Sequence, residues 1–178
     1  MHPDELGSVM ARMLEPDAIV VSENLTGRYD AFHFGYRENE HMWVSNSGLG
    51  LGWGIGAATG AKLAAPDRQV VCSIGDGSVM YSASGFWTQV RYGVPVLTVV
   101  WNNLNYQTVR HAYHNYSGRM AKSGHYAGMY LGDPDIDFVK LAESQSVKGE
   151  KVGTAADLES ALKRGMAATR MASRTWWR

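Results

Sequence analysis

One cysteine, Cys72, stands in the whole 178-residue chain. It has no partner for an internal disulfide, and a four-cysteine iron–sulfur site is excluded. Set among Gln69-Val70-Val71 and Ser73-Ile74, it reads as core filling. Net charge is missing too: 17 Lys and Arg balance 17 Asp and Glu. No basic block disturbs that balance, so a nucleic-acid partner is not expected. No apolar run approaches the roughly 20 residues that span a bilayer, so a membrane partner is not expected either. Met1-His2-Pro3-Asp4-Glu5 lacks the basic and apolar segments of a secretory leader, which makes a cytoplasmic location the expectation. Internal repeats and low-complexity tracts are absent. The length fits one domain, residues 1–178, with a substantial core.

What is present is an alternation of helical and extended patterns. Asp4 to Leu14 predicts a helix, with Leu6, Val9, Met10 and Met13 at helical spacing. Ala18-Ile19-Val20-Val21 predicts a short buried strand, and residues 24–48 read as a polar loop. Gly50 to Ala64 predicts a helix whose small residues let it sit close to a sheet, ended by Pro66-Asp67. Gln69 to Ile74 and Val94 to Trp101 predict strands; Ser82 to Tyr92 predicts a helix stopped by Gly93. Residues 111–134 show no periodicity and read as a loop over an active site. Phe138 to Ser144, Ser146-Val147 and Ala155 to Thr169 predict helix, strand, helix. The expected class is α/β, a parallel sheet flanked by helices.

Two polar motifs interrupt this pattern at predicted strand ends: Gly75-Asp76-Gly77-Ser78 after the first long strand and Asn102-Asn103 after the second. A carboxylate and a carboxamide are thus delivered to one edge of a parallel sheet. Magnesium takes about six oxygen ligands and usually keeps phosphate and water among them. Asp76 offers a charged oxygen, Asn103 an amide oxygen, and the Asn105 carbonyl a third. Gly75 and Gly77 let the backbone approach a phosphate closely. Ser78 is expected to open the following helix, whose free N–H groups favour an anion. A competing pattern is Gly52, Gly54 and Ala57 in G-x-G-x-x-A with Asp76 downstream, the fingerprint of an NAD-binding Rossmann domain. Its strand, His41 to Ser47, is short and polar, and it leaves Asn102-Asn103 without a role, so it ranks second.

The paired motifs resemble those of the thiamine diphosphate enzymes, over a span from about Asp4 to Arg170. The likeness is greatest to the 2-oxoacid decarboxylase and acetolactate synthase superfamily, in particular to benzoylformate decarboxylase-like members. The resemblance implies thiamine diphosphate and Mg2+ as cofactors. It assigns Asp76, Asn103 and the Asn105 carbonyl to the metal. Gly75, Gly77, Ser78, Tyr106 and Thr26 fall at diphosphate positions, and Leu51 at that of an apolar wedge that bends the cofactor. The Leu49 carbonyl would accept from the aminopyrimidine. Thr108, Val109 and Ala112 would line the substrate pocket; Val109 stands where pyruvate decarboxylase types carry a glutamate. Leu104 departs from the small or polar residue of many relatives and is expected to alter the pocket wall. Loop histidines His111, His114 and His125 read as exposed before they read as proton carriers.

The same resemblance implies a missing half. Relatives activate the pyrimidine with a glutamate on a separate domain. Here Glu5, Glu15, Glu23, Glu38 and Glu40 all precede the glycine-rich helix, and Glu23 reads as structural or pocket-lining. The expected partners are therefore a pyrimidine-binding domain or subunit and a small 2-oxoacid, in a homo- or hetero-oligomer. The chain would be part of a longer enzyme, one subunit of a split decarboxylase, or a non-catalytic remnant, and inactive alone. The family pattern also calls for one more apolar strand after the last helix. Instead the chain ends Met171-Ala172-Ser173-Arg174-Thr175-Trp176-Trp177-Arg178. A coding sequence for the peptide DGKPYLV, read one base out of phase, spells MASRTWW. Residues 171–178 are thus expected to be a frameshifted tail, with the last strand lost.

Overall fold

The computed structural model describes residues 2–26, 42–45, 48 and 50–175. Helix α1 (Pro3–Met13) is started by His2, whose ring accepts the Asp4 N–H while Glu5 reaches back to the His2 N–H. This reciprocal arrangement satisfies two of the donors a helix start leaves open. Strand β1 (Ile19–Glu23) follows, then β2 (Met42–Ser45), helix α2 (Gly54–Ala64) and strand β3 (Val70–Gly75). Helices α3 (Asp76–Ser82) and α4 (Gly85–Arg91) lead to β4 (Leu97–Trp101). Helices α5 (Gln107–Asn115), α6 (Arg119–Ser123), α7 (Phe138–Glu143) and α8 (Ala155–Thr175) complete the order.

Among the described residues the sheet has four strands, all parallel, in the order β2-β1-β3-β4. Alternate strand residues feed two apolar layers, as the period of two requires. Val20 and Val71 pack with Met10 of α1 and with Leu158, Leu162 and Met166 of α8. Ile19, Val21, Val70, Cys72 and Ile74 pack the other way, against Ile55 and Ala58 of α2, Val79 and Phe86. Cys72 is free and wholly buried, and burial pushes its thiol up, out of reach of ionisation. Strand order reverses between β1 and β3. Ligands of open α/β sheets gather at the carboxyl ends of the strands at such a reversal. Among the described residues no helix is long and apolar enough to cross a membrane.

Several boundaries differ from the sequence expectation. Residues 42–45, read as loop or at best a poor strand, pair with β1 from Ile19↔Met42 to Ser22↔Ser45; backbone bonds to a buried neighbour override weak local propensity. The predicted helix at 82–92 is two helices, and α3 starts at Asp76, not at Ser78. Ser146-Val147 is a turn rather than a strand: Ser146 has φ 67° and the Val147 N–H returns to the Ala142 carbonyl. Within residues 111–134, expected to be loop, residues 111–115 and 119–123 are helical. The last helix runs past 169 to Thr175, since Met171-Ala172-Ser173-Arg174 holds no Gly or Pro to stop it.

One helix start makes a pH prediction. Asp137 accepts the Lys140 N–H at 3.0 Å and pairs with its ammonium at 3.4 Å. The backbone bond first, then the Lys140 side chain, holds the Asp137 carboxyl below its ordinary value. A carboxyl lowered on folding contributes stability above its unfolded pKa and loses it as pH falls through the folded one. Asp137→Ala is expected to lower the urea midpoint at neutral pH. The gap to wild type is expected to close in acid, as read from paired denaturation curves.

Candidate active site

Asp76 opens α3 directly after β3 and is 3% exposed. Its Oδ1 accepts the Gly77 N–H at 2.8 Å and its Oδ2 the Asn103 N–H at 3.2 Å, so the two motifs of the sequence meet. Burial pushes its carboxyl above the ordinary carboxylate range, and backbone N–H groups of Gly77, Leu104, Asn103 and Asn105 pull it partly back. Among the described residues no Lys or Arg pairs with it. A buried carboxylate in that state is stabilised by a cation placed against it.

The loop after β4 folds on its own side chains. Asn102 Oδ1 accepts the Leu104 N–H at 3.1 Å and Asn103 Oδ1 the Asn105 N–H at 2.9 Å. These turns hold Leu104 at φ 56°, a left-handed conformation that costs a branched residue about 1–2 kcal/mol. The Tyr106 N–H then bonds the Met129 carbonyl at 2.9 Å, and the Leu131 N–H bonds the Leu104 carbonyl at 2.8 Å. The Asn103 amide oxygen is thus engaged with Asn105, with one lone pair left over.

A single cleft gathers most of the residues picked from the sequence. Thr26, Leu51, Gly75, Asp76, Gly77 and Ser78 line it from one side. Asn103, Asn105, Tyr106, Thr108 and Val109 line it from the other. Thr26 and Thr108 join across it through their hydroxyls at 3.2 Å. The Tyr106 ring lies on Gly77 so closely that a Cβ there would collide with it. Burial, then the hydroxyl of Tyr81, pushes the Tyr106 phenol up.

The cleft fits a metal-bound diphosphate on its own chemistry: oxygen donors, an uncompensated buried carboxylate, and an orphaned amide. Asn24, 5% exposed, also lines it, and its Nδ2 has no hydrogen-bond partner. Residues 26–173 match the family model described as "Thiamine pyrophosphate enzyme, C-terminal TPP binding domain". The chain belongs to that family. Its similarity to full-length enzymes is partial in length. It is 36% identical over 155 residues to the acetolactate synthase large subunit of Parasynechococcus marenigrum, covering 85% of this chain and 24% of that one. It is 32% identical over 179 residues to the benzoylformate decarboxylase of Pseudomonas aeruginosa, covering 96% and 31%. The solved 4-hydroxybenzoylformate decarboxylase of Rhodococcus jostii RHA1, thiamine diphosphate-dependent, aligns with TM-score 0.76 and 35% identity over 95% of this chain and 31% of that one. The chain thus spans about a quarter to a third of the length of these relatives.

Within this thiamine pyrophosphate-binding domain some expectations need correction. Leu49 lies outside the described residues. Ala112 sits exposed on α5, one turn beyond Thr108, and is not among the residues lining the cleft. Neither is Leu104, whose unusual backbone shapes the loop rather than the pocket wall. His111 and His114 are exposed on a helix, not a loop; His111 contacts Gln107 at 2.6 Å and His114 the Tyr126 hydroxyl at 2.6 Å. Among the described residues no cluster of three His, Cys, Asp or Glu can hold a metal, so a metal here depends on Asp76 and amide and carbonyl oxygens.

The G-x-G-x-x-A reading loses its chemistry. Glu23, at the end of β1, accepts the Gly52 N–H at 2.5 Å and the Gly54 N–H at 2.6 Å. The amides that a dinucleotide pyrophosphate would need are held by a carboxylate. Asn24, Leu25, Trp101 and Gln107 are cleft residues that sequence reasoning missed. Asn24 and Leu25 had a signal, the polar break directly after an apolar strand.

Proposed function

We propose that this cleft holds thiamine diphosphate through Mg2+, and that the chain is the diphosphate-binding half of a 2-oxoacid decarboxylase or carboligase. The observation that carries the reading is the buried Asp76, unpaired with any Lys or Arg among the described residues and joined to the Asn103 loop. Asp76, Asn103 and the Asn105 carbonyl hold the metal. Asn24, Thr26 and the start of α3 at Gly77 and Ser78 receive the diphosphate, and Tyr106 closes its flank. Leu51 shapes the cofactor, while Thr108 and Val109 face the substrate. When bound, the cofactor would supply a carbon nucleophile and an electron sink for chemistry on a 2-oxoacid. The chain's own residues bind and orient it and keep Asp76 ionised against the cation. A pyrimidine-binding domain or subunit supplies the glutamate this half lacks, so the chain alone turns over no substrate.

Calorimetric titration tests this. Wild-type protein is expected to bind thiamine diphosphate with Mg2+, to lose binding when EDTA removes the metal, and to ignore NAD. Binding of NAD with indifference to thiamine diphosphate overturns the reading. Decarboxylation of a 2-oxoacid on mixing with a pyrimidine-binding subunit supports a split or fragmentary enzyme; binding without any activity in that mixture supports a remnant. Residues 171–178 we take as the product of a frameshift. Sequencing the gene checks that: absence of a downstream frame encoding the missing strand refutes it.

A further inference from the structure

Glu23 is 1% exposed, yet neither the metal nor the diphosphate assignment uses it. Its two oxygens are spent on two backbone amides 29 and 31 residues along the chain, those of Gly52 and Gly54. Leu51, which lines the cleft, directly precedes the first of these amides. Both glycines are shaped to the contact. Gly52 has φ 92°, and a Cβ on it would lie 2.5 Å from Tyr81 Cβ. A Cβ on Gly54 would lie 2.8 Å from Glu23 Oε2. The turn that carries Leu51 into α2 is therefore bound at two points to the end of β1 and leans on Tyr81. Tyr81 also pushes the Tyr106 phenol up, after burial, and the Tyr106 ring rests on Gly77.

We infer that Glu23 is a positioning residue: its carboxylate sets the height of Leu51 over the cleft, and so governs how the ring portion of the cofactor is held, apart from its diphosphate. A carboxylate suits the task because it accepts two N–H groups at once, whereas an amide offers one acceptor and turns a donor toward the other N–H. The inference rests on the proposed cofactor reading, and the experiment separates the two. Two probes are titrated in Mg2+: thiamine diphosphate, which has rings to place, and inorganic pyrophosphate, which has none.

Wild type is expected to bind both. Glu23→Gln is expected to weaken thiamine diphosphate about tenfold, the value of one lost charge-assisted hydrogen bond, and to leave pyrophosphate within about twofold. Leu51→Ala, which keeps the Glu23 contacts, is expected to show the same selective loss. Glu23→Asp retains both oxygens one methylene short and is expected to fall between; it carries the test if the glutamine variant does not fold. Equal weakening of both probes, or of neither, by the Glu23 variants overturns the inference while leaving the cofactor reading intact. Failure of wild type to bind either probe overturns both.

Discussion

Asp76→Ala is expected to abolish Mg2+-dependent binding of thiamine diphosphate, a loss beyond the 10–100-fold that even outer partners of a metal are worth. The alanine removes the charged oxygen next to Asn103 and leaves a site of neutral donors, to which magnesium binds poorly. The fold is expected to survive. Losing the acceptor orphans the Gly77 and Asn103 N–H groups, a cost of about 1–3 kcal/mol. Relief of a desolvated carboxylate and the helix propensity of alanine offset part of it. Circular dichroism alongside calorimetry separates lost binding from lost structure. On the proposed reading, the cation in wild type competes with a proton for a carboxyl raised above its ordinary value. Affinity should therefore weaken on acidification starting at a higher pH than an unperturbed Asp would give. Undiminished binding by the alanine variant would remove Asp76 from the metal.

Ile55→Ala is expected to destabilise the protein by about 2–5 kcal/mol, lowering Tm by roughly 5–15 °C for a chain of this size. Ile55 is fully buried in the layer under α2, and its Cγ2 would lie 2.5 Å from a Cβ on Gly85, so the start of α4 has closed onto it. That close fit argues for a cavity that collapses poorly, and so for the upper part of the range. Leu63 on the same helix is 58% exposed, and Leu63→Ala is expected to stay within about 0.5 kcal/mol. Urea unfolding of the two variants under one set of conditions decides it. Equal effects would mean α2 does not pack on the sheet as described.

Much of the fold was legible because burial repeats at the period of the backbone. Three of the four described strands came from apolar runs, and α1 from apolar residues at helical spacing. The segment after Asn103 was not legible as helix. Neither α5 nor α6 buries a residue, and at nine and five residues each is too short for helical spacing to stand out. Strand β2 was missed for the complementary reason: it is four residues long and held by its pairing with β1, not by its own preferences. Helix α3 began early because Asp76 itself satisfies the Gly77 N–H, which no count of apolar spacing reveals.

The residues alone pointed to the family, through the likeness of Gly75-Asp76-Gly77-Ser78 and Asn102-Asn103 to the paired motifs of thiamine diphosphate enzymes. They also determined the three-layer class. The roles of Glu23 and the glycines emerge from the folded chain. Gly52 and Gly54 spell the same letters whether their amides face a pyrophosphate or a carboxylate. The choice falls to a strand end some thirty residues earlier that the sheet brings against them. Hydrogen-bond partners across that distance are fixed by strand order and register, which are global properties, and not by any local run of residues.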